Sequence, residues 1–484
     1  MDQASRVETE APGANGGLVK SLGLLDSTTI VMGSMIGSGV FIVAADIGRQ
    51  VQSPGLFLLT WIVTGLMTLA AALSYGELAA AMPRAGGQYV YLREAFGPLS
   101  GFLYGWTLFT VIQTGTIAAV AVAFAKFLGV FLPGVSASAW LFRIGPVGVN
   151  TQQLVAIAMI VFLTWVNTNG LRTGSIIQNI FTLAKVGALG ALILLGFIAG
   201  RNRQAIQANF GDFWHGATFG WTSIRVAGVA MVGALFSSDA WNNVTFTAGE
   251  VKNPKRNLPL SLGLGVLAVS VLYLGCNLVY LMALPLSAIQ HAVEDRVATT
   301  VMAQILGPVA TQLMAIAVMV STFGCNNGLI LAGARVYYAM AGDGLFFKGV
   351  RKLDEKTHAP VRSLWVQCLW ACGLTLTGRY GDLLDYVIFA VLLFYVLTIL
   401  GLFVLRRTRP SMERPYRAIG YPVLPALYIA AGVLIEGLLL AYKPNYTWPG
   451  LILVLLGVPV YFVWTRFART RAIDASRDYS TSKG

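Results

Sequence analysis

Two stretches of small and polar residues interrupt apolar runs, and each could hold an ion. The first is Gly33-Ser34-Met35-Ile36-Gly37-Ser38-Gly39-Val40-Phe41. Its glycines and serines are poor helix material, because Gly leaves the backbone loose and Ser competes for backbone partners. An opened backbone presents free N–H groups, and the half-helix that follows presents its positive end, so a carboxylate can bind without a buried cation. The second stretch is Gly233-Ala234-Leu235-Phe236-Ser237-Ser238-Asp239-Ala240-Trp241-Asn242-Asn243. Serines, an Asp and two Asn in mid-span are costly in lipid and mark a cavity. A lone Lys185 sits within Phe181-Thr182-Leu183-Ala184-Lys185-Val186-Gly187. A buried ammonium must find carbonyls or lose its proton, unless it snorkels to an interface.

Irregular backbone survives at membrane depth only where it lines a cavity, so membrane helices must position these groups. The composition agrees. The 484 residues are 56% hydrophobic and 11% charged, against about 25% charged in a soluble domain. Apolar runs of about 20 residues read as spanning helices. The net charge of +13 does not signal nucleic acid. The Lys and Arg gather in alternate short loops and in the tails, which puts the basic loops and both termini in the cytoplasm.

The runs give an all-α membrane protein of about 12 transmembrane helices. Helix 1 extends from about Leu24 to Ile47 and is broken at Gly37 to Gly39. Helix 2 lies between Pro54 and Pro83, and helix 3, from about Phe96 to Leu132, is long enough to tilt. The second break, in helix 6, falls roughly 200 residues after the first, which fits two halves of five helices with inverted topology. The expected organisation is a disordered cytoplasmic tail over 1–20, a first repeat over 21–200 and a second over 220–408. Helices 11 and 12 follow over 420–468, and a cytoplasmic tail over 469–484. Cys276, Cys325, Cys368 and Cys372 all lie in apolar runs and imply packing, not a disulfide framework. The polar start of the chain lacks the pattern of a signal peptide.

Four segments resemble the amino acid–polyamine–organocation transporter superfamily and, within it, the L-type amino acid transporter branch. The first is Gly33 to Phe41. The second runs from Tyr75-Gly76-Glu77-Leu78 through Pro83-Arg84-Ala85-Gly86-Gly87-Gln88-Tyr89 to Phe96-Gly97-Pro98. The third is Phe236 to Trp241 with Gly249-Glu250-Val251-Lys252-Asn253-Pro254. The fourth is Phe323-Gly324-Cys325-Asn326-Asn327-Gly328 with Arg335 and Met340 to Gly344. The resemblance implies a LeuT-like 5+5 inverted repeat with helices 1 and 6 broken. A bundle of helices 1, 2, 6 and 7 would rock against a scaffold of helices 3, 4, 8 and 9. It also implies an α-amino acid substrate.

The same resemblance assigns roles. Gly37, Ser38 and Gly39 match the carboxylate-binding break. The carbonyls of Met35, Ile36, Phe236 and Asp239 would take the substrate ammonium, and the Phe236 ring would gate the pocket. Asp239 departs from the L-type pattern, where a small residue stands. It binds an ammonium, carries a proton, or caps a half-helix. Asn242 matches a position that holds helix 6 to helix 1, and Asn327 a polar residue near the pocket. Gln113 and Thr116 share a face of helix 3 and line the side-chain pocket or bond between helices. Lys185 matches the lysine of sodium-independent relatives, which bridges to helix 1 where sodium-coupled ones bind an ion. Glu77, Arg84 and Arg335 form an inner gate or static ion pairs. An outer pair of Arg225 with Asp382 or Asp385 is a weaker expectation.

His215, His291 and His358 all fall in loops, and no metal spacing, nucleophile–base pair or phosphate loop is present. A membrane-embedded acyltransferase or hydrolase, which needs such groups within the bilayer, is disfavoured. The expected function is sodium-independent transport of L-amino acids, neutral ones first, by exchange or proton symport, without a cofactor or metal. Polyamine or cationic amino acid transport is the alternative that Asp239 motivates, and an amino acid sensor without transport is another. The expected partners are the amino acid, membrane lipid and a proton where symport operates. Relatives linked to a heavy subunit use a Cys after helix 3. The stretch from Val130 to Asn150 has none, so no disulfide-linked subunit is expected.

Overall fold

The computed structural model describes residues 18–144, 147–218, 220–377 and 380–481. Most of the expected 1–20 tail lies outside the described residues. The regular elements among the described residues are helices, apart from a short antiparallel hairpin, β1 (Trp140–Ile144) and β2 (Val147–Asn150), in the loop after helix 3.

Helix 1 is two pieces, α1 (Leu24–Met35) and α2 (Gly39–Val51), which meet at 41°. Next come α3 (Pro54–Ala81) and the short α4 (Gln88–Phe96). The third long helix, α5 (Pro98–Leu128), carries a π-helical turn at Leu108–Ile112. Prolines open α3 and α5, where a missing N–H costs nothing. Then come α6 (Thr151–Thr168), whose N-terminus is closed by reciprocal bonds between Asn150 and Gln153, and α7 (Leu171–Ala199). Helix 6 is again two pieces, α8 (Trp221–Ser237) and a single turn, α9 (Asn243–Phe246). The remaining long helices are α10 (Pro254–Ala283), α11 (Val309–Gly342), α12 (Val361–Thr377), α13 (Tyr380–Thr408), α14 (Val423–Tyr442) and α15 (Pro444–Thr481).

Nine described helices are long and apolar enough to cross a membrane, or ten with α1 and α2 taken as one bent span. The expected twelve is not reached by that measure, because α8 and α12 have 17 residues each. The last helix runs on to Thr481, through most of the segment expected as a tail.

Both breaks lie at the centre of the bundle. Gly39 opens α2 against the end of α8, so closely that a Cβ there would overlap the Ser237 side chain and come within 2.9 Å of its Cα. Only glycine allows that approach.

On the basic side, α4 is tied to the segment after α13. Glu94 accepts from Arg409 at 2.7 Å and from Arg93 at 3.1 Å. Partial burial alone would raise the Glu94 carboxyl, but hydrogen bonds and charge from Arg409 and Arg93 outweigh it and hold it below its ordinary range. A depressed carboxyl contributes stability that is complete above the unfolded value, about 4.3, and is lost as pH falls through the folded one. Thermal stability of the purified protein is therefore expected to fall from about pH 4.3 downward, and Glu94→Gln to flatten that acid limb. An identical limb in the variant would show that this tie contributes nothing.

Candidate functional site

The α1 helix stops because Ile36 turns to an extended conformation (φ −76°, ψ 91°). Among the described residues, the amides of Gly37 and Gly39 donate to no backbone oxygen. They are donors left over at the start of α2, as a carboxylate site needs.

The carbonyls on the other side of the break are not free. Lys185 Nζ, on α7 and 1% exposed, donates to Gly33 O at 2.7 Å, Ile36 O at 2.8 Å and Ser321 O at 3.1 Å. Three acceptors match the three protons of an ammonium. Ser321 Oγ lies 3.1 Å from Ile36 O and 2.8 Å from Gly37 O. Ile36 O already accepts from the Lys185 ammonium and shares the single Ser321 proton with the nearer Gly37 O. This corrects the expectation of an unpaired Ile36 carbonyl for the substrate ammonium. Met35 O accepts from the Tyr273 hydroxyl of α10 at 3.0 Å, and the same hydroxyl lies 2.9 Å from Ser237 O. Tyr273 thus ties the ends of α1 and α8 together.

The second break is strained. Ala240 takes a left-handed conformation (φ 63°) without being glycine, a feature that persists only where surrounding structure holds it. Asp239 Oδ1 accepts from the Tyr395 hydroxyl at 2.7 Å. Tyr395 OH also lies 3.1 Å from Asn242 Oδ1, Asn242 donates to Gln88 Oε1 at 2.7 Å, and Gln88 donates to Thr398 Oγ1 at 3.0 Å. Asn242 therefore holds the break to α4 and α13, not to helix 1 as the resemblance implied. No side chain caps α2, the outer half-helix that starts at a break, or α9, which removes the capping reading of Asp239. Among the described residues, no salt bridge reaches Asp239.

Two small cavities meet at this carboxylate. One, of about 10 Å³, is lined by Gln113, Thr116, Asp239, Asn242, Tyr104 and Leu329 among others. The other, of about 20 Å³, is lined by Asp239, Ser238, Tyr428 and Thr68 among others. Asp239, Val391 and Tyr395 line both. Each has room for about one water, so the bundle is closed around the site. Gln113 follows the π-helical turn and donates to Leu329 O at 2.7 Å. The Thr116 hydroxyl is turned back to Ile112 O at 2.6 Å. Neither Phe236 nor the Met35 to Gly39 break lines either of these two cavities.

Other expectations need correction. Asn327 donates to Gly174 O and Gln178 Oε1, both at 3.0 Å, and accepts from Asn167 Nδ2 at 3.0 Å. Its polar atoms face α6 and α7, so it binds scaffold helices together and is not a pocket residue. Glu77 does not meet Arg84 or Arg335. It accepts from Arg406 at 2.9 and 2.5 Å and from the Ala418 amide at 2.7 Å, with Arg414 3.3 Å away. Arg84 is exposed, 3.9 Å from Glu94.

Arg335 instead grips Glu250 through two bonds of 2.8 and 3.1 Å, with both side chains no more than 3% exposed. Arg225 stacks over the Tyr442 ring at 5.0 Å, and the side chains of Asp382 and Asp385 lie outside the described residues. The residues that sequence reasoning missed are Glu250, Tyr273, Ser321 and Tyr395. Glu250 stood in a quoted motif, but nothing in the sequence named its partner.

The amino acid permease family model matches residues 22–464. The chain is also similar to individual transporters. It is 30% identical to the b(0,+)-type amino acid transporter 1 of Mus musculus, over 93% of this chain and 89% of that protein. Against the large neutral amino acids transporter small subunit 2 of Rattus norvegicus, identity is 31% over 96% and 84%. Against the Asc-type amino acid transporter 1 of Mus musculus, it is 30% over 92% and 81%.

Proposed function

The chain belongs to the amino acid permease family, and on that premise we propose that it is a sodium-independent secondary transporter of neutral L-amino acids working by alternating access. The observation that carries the sodium-independence is Lys185. Its ammonium occupies a cluster of carbonyl oxygens from the end of α1 and from α11, where a coupling cation would otherwise find its ligands. The cation is part of the chain, so it need not be bound and released in each cycle.

The substrate carboxylate would take the Gly37 and Gly39 amides and the Ser38 hydroxyl. Its ammonium would take the Met35, Phe236 and Asp239 carbonyls, and the side chain would lie toward Gln113 and Thr116. The cavities are too small for an amino acid, so entry requires the Gly39 contact with Ser237 to part, with Phe236 moving as the gate. The alternation of basic loops supports cytoplasmic termini, and the absence of a Cys between Val130 and Asn150 favours a chain without a disulfide-linked partner.

Uptake of labelled leucine into sodium-free proteoliposomes tests this reading. Uptake only with preloaded amino acid means exchange, and uptake into empty vesicles under an inward proton gradient means symport. No uptake of leucine in either arrangement refutes the neutral amino acid transporter, and no uptake of any amino acid brings the polyamine transporter and the sensor to the front. Ser38→Ala is expected to weaken binding by about 1 kcal/mol, or about fivefold in half-saturation, and an unchanged value would remove Ser38 from the site. Asp239, a carboxylate facing the cavities without a basic partner, favours cationic amino acids as the second reading. Lysine or arginine outcompeting leucine would establish it.

A further inference from the structure

A groove that contains charged groups lies away from the site, on the flank of α3 and α10. It measures about 640 Å³, within the range of small-ligand sites. Its floor is aliphatic, from Leu69 and Leu73 of α3 and Leu260, Gly263, Leu264 and Leu267 of α10. Polar groups gather at one end only, where Lys255, Arg256 and Tyr416 form the rim.

Those groups are donors short of acceptors. Among the described residues the Arg256 guanidinium has no partner. Lys255 meets Glu413 at 2.8 Å, but the two side chains are 55% and 75% exposed, and such pairs contribute little. The Tyr416 hydroxyl is buried beside the Ile419 backbone amide and, among the described residues, hands its own proton to no acceptor. The Tyr416 ring lies against Pro259 and Gly76, where a Cβ on Gly76 would come within 2.9 Å of it, so its position is fixed by packing. Lys255 and Arg256 also stand in the first turn of α10, where the helix dipole already presents positive charge and disfavours cations. Positive charge is thus concentrated against local preference, beside an aliphatic trough long enough for a hydrocarbon chain.

We propose that this groove is a binding site for an anionic glycerophospholipid of the leaflet on the basic side of the protein. The phosphate sits between Arg256 and Lys255, beside the Tyr416 ring, and an acyl chain lies over Leu260, Leu264 and Leu267. Basic pockets at the ends of apolar crevices between membrane helices suit this ligand. The segment carrying Tyr416 also supplies the Ala418 amide that holds Glu77 at 2.7 Å, so a bound head group would brace the bundle where α3 and α10 meet that segment.

The test is lipid retention by the purified full chain, read by native mass spectrometry after exchange into mixed micelles of phosphatidylglycerol and phosphatidylcholine. Wild type is expected to prefer phosphatidylglycerol by about 30-fold, the factor for two basic groups at an anionic head group. Lys255→Ala with Arg256→Ala, both at exposed positions, is expected to abolish the preference. Gly263→Phe, which fills the floor and leaves the charges alone, is expected to lower retention of both lipids. Equal retention of the two lipids by wild type would overturn the proposal, and so would an unchanged preference in the double variant. Displacement by glycerol phosphate as effective as by the lipid would reduce the site to an anion site and overturn the lipid assignment. Gly263→Phe with full retention would do the same.

Discussion

Lys185→Ala is expected to lower the initial rate of amino acid transport in proteoliposomes by about 100-fold, while the protein still folds. Its ammonium joins three elements at one point: Gly33 O and Ile36 O at the end of α1, Ser321 O on α11, and its own helix α7. A tie made of charge-assisted hydrogen bonds contributes about 1.5–3 kcal/mol per bond, and losing even one such difference between states shifts an equilibrium by 10-fold or more. The alanine variant leaves space for water, which can hydrate the abandoned carbonyls, so the fold survives without its fixed geometry.

Lys185→Met separates the two effects. It fills the space, brings no donor, and leaves buried acceptors orphaned at about 1–3 kcal/mol each. It should be both inactive and less stable. A rate in Lys185→Ala that rises with sodium, against a flat response in wild type, would be direct support for an ammonium standing in for a bound cation. Wild-type rates in sodium-free buffer would remove the lysine from the cycle.

The breaks and the lysine were legible because their signals are local. Glycines and serines in an apolar run, or one ammonium in mid-span, are anomalies that any membrane helix must resolve nearby. Gln113, Thr116 and Asp239 reached the same cavity, the first two through helical spacing and the third through its cost in lipid. What stayed hidden depends on partners distant in sequence. Tyr273 and Tyr395 carried no signal, because nothing in an apolar helix tells which hydroxyl will find a broken end. Ile36 looked like a free acceptor, since the sequence cannot say that Lys185 and Ser321 converge on it. Asn327 was placed at the pocket and Asn242 against helix 1 because a polar residue in mid-helix announces a partner but not its direction. Glu77 and Arg335 were expected to meet at one end of the bundle. Both are indeed ion-paired, but the packing of α13 and of the segment after α9 gave each a different partner.

The partner of Arg335 leads to the second large effect. Glu250 faces two ways. Its carboxylate takes two bonds from Arg335 on α11, and its backbone carbonyl accepts from the amides of Ser21 at 2.9 Å and Leu22 at 3.0 Å, with Lys252 N returning to Leu22 O at 2.8 Å. One residue therefore fastens the lead into α1 to the segment after α9, and that segment to α11. If the inner side opens by moving the broken helices away from α11, the Arg335–Glu250 pair must part, and each charge must reach water as it does.

Arg335→Ala leaves the Glu250 carboxylate buried and unpaired in the closed arrangement, which costs about 3–5 kcal/mol. Opening the inner side relieves that cost, so the population shifts toward the open form by at least about 100-fold. The expected readout is faster thiol labelling of a cysteine placed at Ala248, which is 1% exposed in the closed form, together with transport reduced to a few per cent. Neutralising both partners with Glu250→Gln and Arg335→Met should restore much of the closed population, because replacing a whole buried pair is far less costly than orphaning one charge. Slow labelling in Arg335→Ala, indistinguishable from wild type, would mean that the pair is a static anchor and that the inner closure is made elsewhere.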